Sequence, residues 1–137
     1  MRLVRRVALA VIAGGGLLVG IWAEGFPRSF YDDFPGMGRV WVAVDGPFNE
    51  HLVRDVGGLN LGLAFVAVMA LVTGSQMLAR VAGGAALLYG VPHLVYHATH
   101  LDGYDTSDKF AMLGSLASAV LAAILVATPA PPDPTLK

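Results

Sequence analysis

Cysteine is absent from this chain of 137 residues, and charge is scarce, with only 14% Asp, Glu, Lys and Arg. Without a thiol there is no disulfide framework, thiolate metal site, cysteine nucleophile or iron–sulfur cluster. A net charge of −1 and a pI near 6.4 supply no electrostatic footprint for nucleic acid. With so little charge, a mean hydropathy of +0.64 is too apolar for an ordinary soluble domain. These exclusions leave a small integral membrane protein whose first partner is the lipid bilayer.

Four stretches lack charge for long enough to cross a bilayer: Val7–Ala23, Val56–Val72, Val81–Ala98 and Phe110–Ala127. At 1.5 Å per residue each covers most of a ~30 Å hydrocarbon layer. Lipid offers backbone groups no hydrogen-bond partner, so each stretch must be a helix. The expected fold is therefore all-α, a single domain formed as a four-transmembrane-helix bundle. A structured outer loop, residues 24–55, joins the first two spans, and a disordered tail covers 130–137.

Charge placement predicts a direction. Arg2, Arg5, Arg6, Arg80 and Lys137 fall on one side with Asp133. The other side carries Arg28, Arg39, Arg54 and Lys109 against nine acids. The positive-inside rule makes the first side cytoplasmic, with both termini there. Ten of the twelve aromatic residues, from Trp22 to Phe110, lie at or beyond the outer boundary, leaving Phe65 and Tyr89 deeper. One crowded side predicts that residues 24–55 form a cap over the outer ends of the bundle. Within it, Val40–Val44 reads as a short strand, an interfacial segment or a shallow re-entrant piece, and Pro47 after Gly46 predicts a helix start. An alternative for the first span is a signal peptide ending at Ile21-Trp22-Ala23, which leaves three spans and the same outer face.

All four histidines lie on the outer side. His93, His97 and His100 recur at i, i+4 and i+7, forming one stripe on the third span. His51 is followed at i+4 by Asp55, and this pair is expected to face the stripe at the same depth. Imidazoles and carboxylates are the ligands a first-row metal needs where Cys is absent. His51, Asp55, His93, His97 and His100 are thus candidate ligands for zinc, copper or iron. Haem b between two histidines of facing helices is a variant. Glu50 and Arg54 are candidate catalytic groups, orienting imidazoles or acting as general base on metal-bound water. Two other readings stand beside this one: a polar network tying the outer ends together, and a proton-responsive role, since imidazole titrates near neutrality.

Small residues recur as Gly16-xxx-Gly20, Gly58-xxx-Gly62 and Gly114-xxx-Ser118, spacings that let helices approach closely in lipid. Gly58 and Gly62 share a face with His51 and Asp55, which predicts that this face meets another helix. Asn60 is expected to bond across to a neighbouring helix or a second protomer. Pro92 removes the hydrogen bond to the Leu88 carbonyl and predicts a kink before His93. Gly103 suits the end of the third helix, and Thr106, Ser107 or Asp108 the cap of the fourth.

Residues 26–35, FPRSFYDDFP, and 49–55, NEHLVRD, look like family motifs. With its four short spans and polar cap, the whole chain resembles the small DoxX-like membrane proteins and related four-helix bacterial families. That resemblance implies a bacterial plasma membrane location but attaches no activity and no catalytic residue. Two functions compete: a membrane protein with an outward-facing His/Asp metal site supporting redox or hydrolytic chemistry, and a non-catalytic accessory subunit. The second implies a homo-oligomer or a larger membrane protein partner.

Overall fold

The computed structural model describes residues 3–129, so the tail at 130–137 lies outside the described residues. Helix α1 runs over Leu3–Gly25 and a short α2 over Pro27–Asp33. Strands β1 (Pro35–Gly36) and β2 (Arg39–Val40) pair antiparallel, and α3 (Glu50–Thr73), α4 (Gln76–Thr99) and α5 (Thr106–Ala127) follow. The chain is all-α in class, and α1, α3, α4 and α5 are each long and apolar enough to cross a membrane. At 1.5 Å per residue they measure about 33–36 Å, and each contains one expected span with about one additional turn or more at its N-terminal end.

Local chemistry sets those ends. The α3 helix begins at Glu50 rather than near Pro47, because the Asn49 side chain accepts a hydrogen bond from the Leu52 amide at 3.2 Å. Its other end stops at Gly74, whose φ of 67° is left-handed, and Ser75 then caps α4 through the Leu78 amide. Asp105, not Thr106, Ser107 or Asp108, caps α5, accepting from the Asp108 amide at 2.8 Å. That hydrogen bond and one from Ser107 hold the Asp105 carboxyl below its ordinary pKa. Helix α4 continues through Pro92 to Thr99 as one element. In the Val40–Val44 stretch only Val40 belongs to a strand.

The helices pack as two pairs. Helix α1 lies on α3: a Cβ at Gly20 would come within 2.7 Å of Leu61 Cγ, and one at Gly57 within 2.6 Å of the Glu24 nitrogen. Helix α4 lies on α5, where a Cβ at Gly83 would stand 2.5 Å from the Ala127 nitrogen. Close approach of this kind drives association in lipid, where burial of apolar surface supplies little. At the end bearing the chain's N-terminus, alanines close the space between the pairs; Ala67, Ala70 and Ala79 are fully buried together with Leu9 and Val126. At the opposite end α2 and the hairpin sit over the bundle, with Phe30 buried against Trp22 and Phe34.

Arg5 belongs to the closed end rather than to a solvated flank. Only 6% exposed, it donates to Gln76 Oε1 at 2.8 Å and to the Val126 carbonyl, joining α1 to the start of α4 and the end of α5. That carbonyl is among those a helix terminus leaves without an intrahelical donor, so a cation is well placed there. Arg5→Met is expected to cost roughly 2–4 kcal/mol, the worth of hydrogen bonds from a buried charged group. The neighbouring exposed Arg6→Met is expected to change stability by less than about 0.5 kcal/mol. Chemical denaturation of the three proteins in one detergent measures the difference.

Candidate functional site

Because the pairs close together at one end only, a cavity of about 610 Å³ remains between them in the half beneath the cap. One wall comes from α1 and α3, with Val11, Val19, Val56 and Leu63 among its residues. The other comes from α4 and α5, with Ala86, Tyr89, Leu116 and Ala119. Phe30, Tyr31, Phe34 and Trp41 of the cap line its roof. The size falls within the ~300–1,000 Å³ of ordinary small-molecule sites, as does the mainly apolar lining.

Two hydrogen-bonded tethers hold the roof. Trp41 Nε1 donates to Asp108 Oδ1 at 2.9 Å, and Arg39 pairs with the same carboxylate, fixing the hairpin to the first turn of α5. The Tyr104 hydroxyl donates to the Trp41 carbonyl at 2.8 Å and approaches Asp45 Oδ1 at 3.1 Å. Burial, followed by the charge of Asp45, pushes the Tyr104 phenol well above its ordinary pKa, so it remains a donor at any physiological pH. Tyr31 adds a bond to the Gly46 carbonyl at 2.6 Å.

Polar groups reach the cavity mainly at its cap end. His93 and His97 stand edge to face at 4.8 Å, and His93 stacks on Tyr89 at 5.2 Å. His97 is only 9% exposed, and its Nδ1 has no hydrogen-bond partner among the described residues. A buried polar atom without a partner costs roughly 1–3 kcal/mol, so its place in a cavity wall needs a reason. Asp45 also lines the cavity. Deeper, Asn60 donates to the Val56 carbonyl of its own helix at 2.9 Å, and not across to another helix. Ser115 likewise donates within α5, to Met112 at 2.8 Å.

The expected five-residue metal site does not assemble. His51 and Asp55 are 3.5 Å apart, but their side chains are 88% and 61% exposed and neither lines the cavity. Their face of α3 turns outward because α1 packs on Gly57, about 100° around the helix from Gly58. Gly58 and Gly62, on the His51 face, have almost nothing near them. Glu50 and Arg54 pair with each other at 2.9 Å, and Arg54 also binds the Glu24 carbonyl at the end of α1, so they seal a helix junction rather than serve the cavity. His100 lies past the helix end, stacked on Tyr96 at 4.2 Å with its Nδ1 2.9 Å from the Tyr96 carbonyl. Of the candidates only His93 and His97 share the cavity. Among the described residues no three His, Asp or Glu side chains form a group able to hold a metal ion.

Sequence reasoning missed Tyr89 and Asp45. The Tyr89 signal was available, since positions 89, 93 and 97 extend the histidine stripe by one turn. Asp45 gave no signal, because its place depends on how the cap folds back. No family model, curated protein or solved structure matches the chain.

Proposed function

We propose that this integral membrane protein holds one amphiphilic small molecule between its two helix pairs. The apolar body lies along α1, α3 and α5, and the hydrogen-bonding head sits against His93 and His97. The observation that carries this reading is His97, nine-tenths buried and without a partner for Nδ1 among the described residues, in the wall of an otherwise largely apolar cavity. Apolar walls with a few convergent polar groups are what small-molecule sites share. The charge asymmetry of the sequence supports an orientation in which the cap faces outward and both chain ends face the cytoplasm. In that orientation the head group lies near the outer surface of a plasma membrane.

Purification in mild detergent after incubation with a membrane lipid extract, followed by native mass spectrometry and solvent extraction, tests the proposal. One organic amphiphile per chain is the expected result. His97→Phe keeps the ring volume but removes both nitrogens, and is expected to lower retention about tenfold while the protein still unfolds at a similar temperature. A chain carrying no organic molecule overturns the reading. So does a stoichiometric metal or haem spectrum without an amphiphile, or His97→Phe retention equal to wild type.

A further inference from the structure

We infer that the molecule held by this cavity is a cation, an amphiphile with an ammonium-type head, recognised by Asp45 together with the aromatic roof. The inference rests on the reading of the cavity as an amphiphile site and adds the charge of the head group. Among the residues lining the cavity, Asp45 is the one carboxylate, and no Lys or Arg is present.

The cap holds three arginines near enough in sequence to have neutralised this carboxylate, and each is engaged elsewhere. Arg28 pairs with Asp32 at 2.7 Å, Arg39 with Asp108, and Arg54 with Glu50. Asp45 Oδ1 lies 3.1 Å from the Tyr104 hydroxyl, whose one proton it shares with the nearer Trp41 carbonyl, and Asp45 has no ion-pair partner among the described residues. Asp45 is itself exposed and stands at the rim of the cavity, where its charge attracts a cationic head group and repels an anionic one through a field partly screened by solvent.

The roof favours the same sign. Tyr31 already carries the Arg28 guanidinium 5.6 Å from its ring centroid and Tyr96 is stacked on His100 at 4.2 Å, which leaves Phe34 and Trp41 of the roof to attract a cation through their faces. Such a combination, two aromatic rings and one carboxylate, suits an alkylated or protonated amine better than a neutral alcohol or a carboxylate. An unprotonated ring nitrogen of His97 adds an acceptor for an ammonium N–H. An anionic amphiphile finds no Lys or Arg side chain among the described residues of the lining.

Dodecylammonium, dodecanol and dodecanoate differ only in the head group and provide the test. Each is titrated at neutral pH into the full chain in zwitterionic nanodiscs, with the combined fluorescence of Trp22 and Trp41 as the readout and empty nanodiscs as the reference for partitioning. Dodecylammonium is expected to bind at least tenfold more tightly than dodecanol, and dodecanoate more weakly than either. Asp45→Asn keeps an acceptor for Tyr104 and is expected to remove the advantage of the ammonium while leaving dodecanol unchanged. Asp45→Glu restores it, and Asp55→Asn, outside the cavity, behaves as wild type. Equal affinity for dodecanol and dodecylammonium, or an Asp45→Asn protein that still prefers the cation, overturns the inference and leaves the amphiphile site standing. Binding of none of the three overturns both. A thermal melt of each variant establishes that it is folded.

Discussion

Replacing Gly83 with alanine, the addition of one methyl group, is expected to destabilise the protein by about 3 kcal/mol. The methyl carbon would stand 2.5 Å from the Ala127 nitrogen, 2.9 Å from the Ala123 oxygen and 3.0 Å from the Ala127 Cα. All three are backbone atoms of α5, so no side chain can rotate aside to make room. The helices must separate where Arg5 and the alanine cluster close the bundle, and close packing is the main attraction between them in lipid. Gly84→Ala supplies the comparison. A Cβ there meets nothing within 4 Å, so the substitution is expected to be neutral, or to stabilise by up to about 1 kcal/mol through helix propensity. Denaturation of both variants in one detergent decides the matter; equal stability of Gly83→Ala and Gly84→Ala would show that α4 and α5 are not in contact at this point.

Filling the cavity from Gly15 is expected to reduce amphiphile retention at least tenfold without harming the fold. Gly15 lines the cavity, and a Cβ placed there has nothing within 4 Å, so the ring of Gly15→Phe extends into open space. The variant is expected to be as thermostable as wild type or more so, because apolar atoms replace a void. Gly14→Phe is the matched control. It lies one residue earlier on α1, equally unobstructed, and does not line the cavity, so its ring projects into lipid and retention is expected to stay at the wild-type level. Quantifying bound amphiphile by mass spectrometry separates the two. Equal retention in both variants would mean that the bound molecule lies elsewhere.

The histidines show where sequence patterning succeeds and where it stops. That His93 and His97 share a face follows from helical geometry alone, since residues four apart lie about 40° apart on any α-helix. That this face lines a cavity, while His51 and Asp55 face away from it, depends on the rotation of α3 against α1. The GxxxG spacing of Gly58 and Gly62 points to their face of α3 as the one that meets another helix. The structure instead seats Glu24 on Gly57, one residue earlier, and this rotation removes two of the five anticipated metal ligands from the site. Glu50 and Arg54 follow the same rotation and close the α1–α3 junction.

The sequence by itself determined the number of spanning helices, their approximate limits, the all-α class and the gathering of acidic and aromatic residues on one side of the spans with a basic excess on the other. Each of these follows from a property of the chain read locally: an apolar run long enough for the bilayer, and the order in which charged and aromatic residues fall between such runs. Only the tertiary structure decided which face of each helix meets which neighbour, that Arg5 is buried, and that Asp45 reaches the same cavity as His97. In a soluble protein, the contrast between apolar and polar faces announces which side of a helix turns inward. A helix crossing lipid is apolar all round, so its inward face is selected by the fit of small residues against a particular backbone, and that fit exists only when both helices are in place.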